Sequence, residues 1–162
     1  MDESELRKRL VDWLVKIKFL KDQIGKLENL KNFPIFAISA FLLKSQLIEF
    51  ELKQVIFSLD LYLYFQNRSK ILKKVVRTPK DLDDLTLGKL VREVEQFEGD
   101  RLEDLKANLR ALASKRNEFN HRLFSQGKDV TKLSIDAEEG IKAANKILRL
   151  LEKLEIELKS HE

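Results

Sequence analysis

The sequence predicts an all-α protein, an antiparallel bundle of about five helices. Three observations carry this. Only five Gly and two Pro interrupt 162 residues, so helix breakers are scarce. The composition is 43% apolar and 36% charged, the balance expected of helices with one buried and one solvated face. Apolar residues recur in alternating steps of three and four, which keeps them on one side of a helix. The length suits one domain over residues 1–162, with room for an ordinary core.

The elements follow in order. A first helix is expected from about Ser4 to Leu30, with Leu6, Leu10, Trp13, Ile17, Leu20, Ile24 and Leu27 as its stripe and a lysine-rich opposite face. Pro34 suits the first turn of a second helix, where its missing N–H has no intrahelical partner to lose. That helix runs to about Tyr64 and is apolar nearly all round in its first half, through Phe36, Ile38, Phe41, Leu42, Leu43, Leu47 and Ile48. Such a helix belongs at the centre of the bundle. Residues 66–85 read as a connector, with Thr78 held out of a helix by Pro79. A short helix follows from Thr86 to Phe97, and Glu98-Gly99-Asp100 is a turn. The next helix runs from about Asp100 to Ser125 and is stopped by Gly127. The last begins after Ser134 or Asp136 and reaches Lys159, burying Ile141, Ala144, Leu148, Leu151, Leu154 and Leu158.

Composition also excludes. There is no cysteine, so disulfides and thiolate metal sites are out and a reducing cytoplasm is the expected setting. Charge throughout the first 30 residues argues against a secretory signal. The uncharged, mostly apolar run from Phe33 to Leu43 is too short for a membrane span, which takes about 20 residues. The formal net charge of +4 only tilts toward an anionic partner. Its distribution is more informative: Gln66 to Lys80 carries six basic residues and no acidic one, and Asp81 to Asp104 carries nine acidic and three basic. The basic stretch, with Lys73 and Lys74, is either a phosphate-contacting edge or a solvated connector.

One position breaks the pattern. Leu102, Leu105, Leu109, Leu112, Arg116, Phe119 and Leu123 form one stripe, and Arg116 is its single charged member. A guanidinium cannot shed its charge, so its burial needs a reason. Glu49 or Glu51 on the second helix can pair with it, the side chain can snorkel to water, or the stripe can open into a cleft for an anion. His121 follows five residues later, about 140° round an ideal helix, on a face of small and polar residues with Ala107, Ser114 and Asn117. That face can receive another helix or a second subunit.

Arg116-Asn117-Glu118-Phe119-Asn120-His121 resembles the Arg-polar-x-x-x-His signature of the HEPN superfamily, the higher eukaryotes and prokaryotes nucleotide-binding domains. Residues 39–56, with an acidic residue ahead of Leu52-Lys53, are similar to the long early helix of that family, and residues 85–91 to a segment between its two halves. The resemblance covers about residues 35–158, with the first helix packed on this core. It implies a compact helical homodimer and, in catalytic members, metal-independent RNA cleavage with no cofactor. By position, Arg116 and His121 would be the catalytic pair and Asn117 their supporting polar neighbour; Glu49 is a further candidate support, and Lys115, Arg122, Lys73 and Lys74 are the candidate RNA contacts. A toxin or defence effector, with an antitoxin or regulatory protein as partner, is the implied setting. Some antitoxin-paired members carry a modifiable Tyr two residues after the His; here that position is Leu123, so silencing by that route is not available.

The chemistry is coherent. RNA supplies its own 2′-OH nucleophile, so cleavage needs a base, an acid and a cation at phosphorus. A histidine titrates near neutrality and serves as acid or base, and arginine offers a fork that matches phosphate oxygens. One His cannot do both in a single step, which a symmetric dimer solves by bringing two motifs together. His161, in the terminal tail, is a poor second acid. The bland readings stand beside these: Arg116 as a structural ion pair, His121 as a surface histidine, and the whole as a non-catalytic module that binds protein or RNA.

Overall fold

Six helices make up almost all of the described residues. The computed structural model describes residues 2–28, 34–66, 77–124 and 129–159. They form α1 (Glu3–Glu28), α2 (Pro34–Gln66), α3 (Pro79–Asp83), α4 (Leu87–Glu95), α5 (Asp100–Phe124) and α6 (Val130–Lys159), with no strand among the described residues. The protein is therefore all-α, and its helices pack into one bundle.

The expectation of about five helices is corrected by α3, which lies inside the stretch read as a connector. Thr78 is extended, at φ −84° and ψ 159°, and Pro79 opens the helix behind it. The Asp81 carboxylate accepts hydrogen bonds from the Thr78 N–H and hydroxyl, each at 2.7 Å. Those bonds hold the Asp81 carboxyl below its usual range. Five residues are too few for a periodic apolar signal. Lys73, Lys74 and Gly127 lie outside the described residues.

The last helix also starts earlier than expected. Asp129 accepts from the Thr131 N–H at 2.8 Å through its side chain and from the Leu133 N–H through its carbonyl. It therefore caps α6, and Ser134 and Asp136 sit inside the helix rather than at its start.

α2 is the centre. It packs against α1, α3, α4 and α6, and Phe41, Ile48, Leu52 and Ile56 on it are completely buried. α5 lies against α4 and α6. Trp13, Ile17, Leu20 and Ile24 of α1 are buried, as the stripe predicts. Trp13 Nε1 donates to Asp83 at 2.7 Å, and Arg9 pairs with the same carboxylate, which fastens α1 to α3.

On α6 the buried line differs from expectation. It runs through Leu133, Ala137, Gly140, Ala144, Ile147 and Leu151, while Ile141 and Leu148 only flank it. The small residues admit the Phe41 ring: a Cβ added at Gly140 would fall under 3.0 Å from three of its atoms. Phe41 in turn meets Phe119 of α5 edge to face, with centroids 5.1 Å apart. The outward face of α1 is not purely polar, since Val11, Leu14, Val15 and Phe19 are all more than half exposed. Among the described residues no helix is long and apolar enough to cross a membrane.

Candidate functional site

Gly99, at φ 148°, turns the chain into α5. Asp100 and Glu103 in the first turn and His121 and Arg122 in the last match the helix dipole at both ends. Between them the stripe packs as predicted, with Leu105, Leu109, Leu112 and Phe119 buried. This packing fixes the rotation of α5 and so decides where each candidate side chain goes.

Arg116 turns inward with the stripe. Its Nη1 donates to Glu49 Oε2 on α2 at 2.6 Å, and the two side chains are 21% and 19% exposed. The contact uses one nitrogen of the fork. Nε is buried and finds no acceptor within the described chain. The arrangement matches the carboxylate solution to the broken stripe, with Glu49 as the partner. Glu51 is engaged elsewhere, with Lys21 at 2.8 Å.

His121 and Asn117 are exposed, as are Ala107 and Ser114 on the same face of α5. The structure thus separates the motif: Arg116 is half-buried against α2, and His121 faces outward. No other described helix covers this face at His121. Arg116 and His121 are not brought together within one chain.

Of the expected RNA contacts, the two that are described, Lys115 and Arg122, are occupied. Lys115 donates to Glu139 of α6 at 2.7 Å, and this bond holds the Glu139 carboxyl below its usual range. Arg122 donates to Asp136 of α6 at 2.8 Å and also pairs with Glu118. Both bases therefore tie α5 to α6, and their charge is neutralised locally. Arg77, from the basic stretch, is likewise engaged: it donates to Asp60 at 2.6 and 2.8 Å and pairs with Glu93, and these carboxylates raise its already high pKa. Asp60 is almost fully buried, so this cluster is a structural joint between α2 and α4. Nothing in the sequence pattern pairs Arg77 with an acid 17 residues upstream.

A groove of about 520 Å³ opens elsewhere, lined by Lys44, Glu51 and Leu47 of α2, Lys21 of α1, and Asn145 and Arg149 of α6. None of the predicted site residues that are described lines it. Lys44 is buried there and donates to Asn145 Oδ1 at 2.8 Å. Among the described residues no group of His, Asp and Glu is arranged to hold a metal ion. Compared with protein-family models, curated proteins and solved structures, the chain finds no match.

Proposed function

We propose that the chain is a HEPN-type endoribonuclease that works as a homodimer, its antiparallel bundle presenting α5 to a second copy. The observation that carries this reading is the state of Arg116. A guanidinium has five N–H donors, and here one bond to Glu49 holds it in place while Nε remains unmet. A purely structural pair at this depth gains most from a two-pronged contact. The fork is anchored at one corner and its side chain is a fifth exposed, so the Nη2 donors, though not the buried Nε, are suited to take a phosphate.

His121 is the acid or base. Its exposure on a face of small and polar side chains supports approach by RNA and by a second α5. Base removes the 2′-OH proton, the 2′-oxygen attacks phosphorus, and the P–O5′ bond breaks as an acid protonates the 5′-oxygen. The products are a 2′,3′-cyclic phosphate and a 5′-hydroxyl. Two copies supply two imidazoles, one for each proton. Asn117, exposed one residue after Arg116, is a positioning group. Leu123 stands where some antitoxin-paired HEPN members carry a modifiable tyrosine, so silencing by that modification is not part of this reading.

The decisive experiment is RNA cleavage in EDTA, comparing the wild type with His121→Ala at matched helicity. Cleavage by the wild type alone, leaving cyclic phosphate ends, supports the enzyme. A second reading, a non-catalytic module that binds RNA or protein, is favoured by the separation of Arg116 and His121 within one chain and by the Glu49 contact. RNA retention without cleavage by both proteins would select it.

A further inference from the structure

The outer face of α1 is left uncovered by the fold and is self-complementary in sequence. At about 100° per residue, Val11 and Phe19 lie on either side of Val15, within about 60° of it. They are 55%, 60% and 62% exposed in that order. Lys8, Asp12, Lys18 and Asp22 share this face and frame the apolar strip. The buried line of Trp13, Ile17, Leu20 and Ile24 is on the opposite side. Lys8, Asp12 and Lys18 have no ion-pair partner among the described residues, and Asp22 holds Lys26 one turn on at 2.7 Å.

We propose that this face joins two copies of the chain, α1 lying antiparallel to its symmetry mate about a two-fold axis at Val15. In that register Val15 meets its own copy and Val11 meets Phe19. Lys8 meets Asp22, and Asp12 meets Lys18. Each of these four charged positions then faces its opposite, and Lys26 meets the uncharged Ser4. The alternatives fail on the same residues. Parallel packing in register sets Lys8 on Lys8 and Asp12 on Asp12. Slipping the antiparallel pair by one turn sets Lys8 against Lys18 one way and against Lys26 the other. Opposite charges fix the register and the apolar strip supplies the attraction.

The face is small beside the roughly 20–30 residues a side of a standard interface, so the dimer is weak and depends on concentration. It does not rest on the ribonuclease reading. α1 packs on α2 and α3, whereas Arg116 and His121 belong to α5, which packs on α4 and α6. Two self-complementary faces on one chain would close a tetramer or extend a filament.

The absence of cysteine gives a clean test. Val15→Cys introduces a single thiol at the axis, and mild oxidation should link two chains there. A disulfide spans Cα atoms no more than about 7 Å apart, so the bond reports on this face alone, whatever α5 does. Leu14→Cys is the control: it is as exposed, at 56%, but lies about 100° away from Val15 and should stay monomeric. Sedimentation equilibrium supplies the second reading. Val15→Glu should weaken the dimer at least about tenfold, Lys8→Asp should weaken it, and adding Asp22→Lys should restore it. Equal cross-linking at both positions, none at Val15, or a charge swap that restores nothing overturns the proposal. So does a Val15→Cys thiol shielded from alkylation in a monomer, because another part of the same chain would then cover the face.

Discussion

Arg116 on α5 donates through one nitrogen to Glu49 on α2, 2.6 Å away, at the level where the apolar stripe of α5 is interrupted. Removing the arginine leaves Glu49 at the core edge without its ion-pair partner. Arg116→Ala is therefore expected to cost about 1–3 kcal/mol. Both side chains keep about a fifth of their exposure, which holds the loss below that of a fully buried pair. Urea unfolding measures it. The double variant Arg116→Met, Glu49→Leu should recover most of the stability, because no charge is left unpaired. If the double variant is as unstable as the single, the pair is not the source of the loss.

His121 makes the opposite prediction. It is exposed at the end of α5, so His121→Ala should change stability by less than about 0.5 kcal/mol. On the enzyme reading it should lower RNA cleavage by about 10²–10⁴-fold. The two variants together separate folding from chemistry: Arg116→Ala moves both readouts and His121→Ala moves one. A His121→Ala protein that melts early would show that the imidazole holds structure.

The stripes of α1 and α5 were legible because each is long and periodic, and Arg116 stood out only against that regularity. Glu49 was legible as one of two acids on the central helix, although the sequence could not choose between it and Glu51. The buried line of α6 was not. Ala137, Gly140 and Ala144 carry little apolar signal, so Ile141 and Leu148 drew the stripe one position round the helix. Lys115 and Arg122 read as free cations because their acids, Glu139 and Asp136, come from the next helix. Pairing across helices is set by how α5 and α6 rotate on the core, and no spacing rule within one helix encodes it.

Acid should weaken the fold through carboxylates that are hydrogen-bonded at the surface. Thr78 holds Asp81 below its usual pKa, Lys106 does so for Glu103, and Lys115 for Glu139. A group whose folded pKa is depressed contributes its stability above the unfolded value, about 3.9 for Asp, and loses it as pH falls through the folded value. Thermal unfolding followed from pH 7 downward should show the loss beginning near pH 4. Asp81→Asn should flatten that slope, since its carbonyl still accepts from Thr78 but no longer titrates. An unchanged slope would mean that Asp81 is equally acidic in the unfolded chain.

A tight constraint on the bundle lies where Phe41 of α2 crosses Gly140 of α6. Elsewhere in a helix interior, replacing Gly by Ala stabilises by about 0.5–1 kcal/mol, through reduced backbone entropy. Here the added methyl would overlap the ring, and Phe41, fully buried, also packs against Phe119. Overpacking of this kind costs about 1–3 kcal/mol, which outweighs the propensity gain. Gly140→Ala should therefore lower the unfolding midpoint. Phe41→Leu alone should also destabilise, by opening a void at the centre of the core. Combined, the two should lose less than the sum, because the smaller side chain makes room for the methyl. Chemical denaturation of the four proteins closes the cycle. A Gly140→Ala protein more stable than wild type would mean that α2 and α6 can part at little cost, and the glycine would then be incidental to how the helices that carry Glu49 and Asp136 are held.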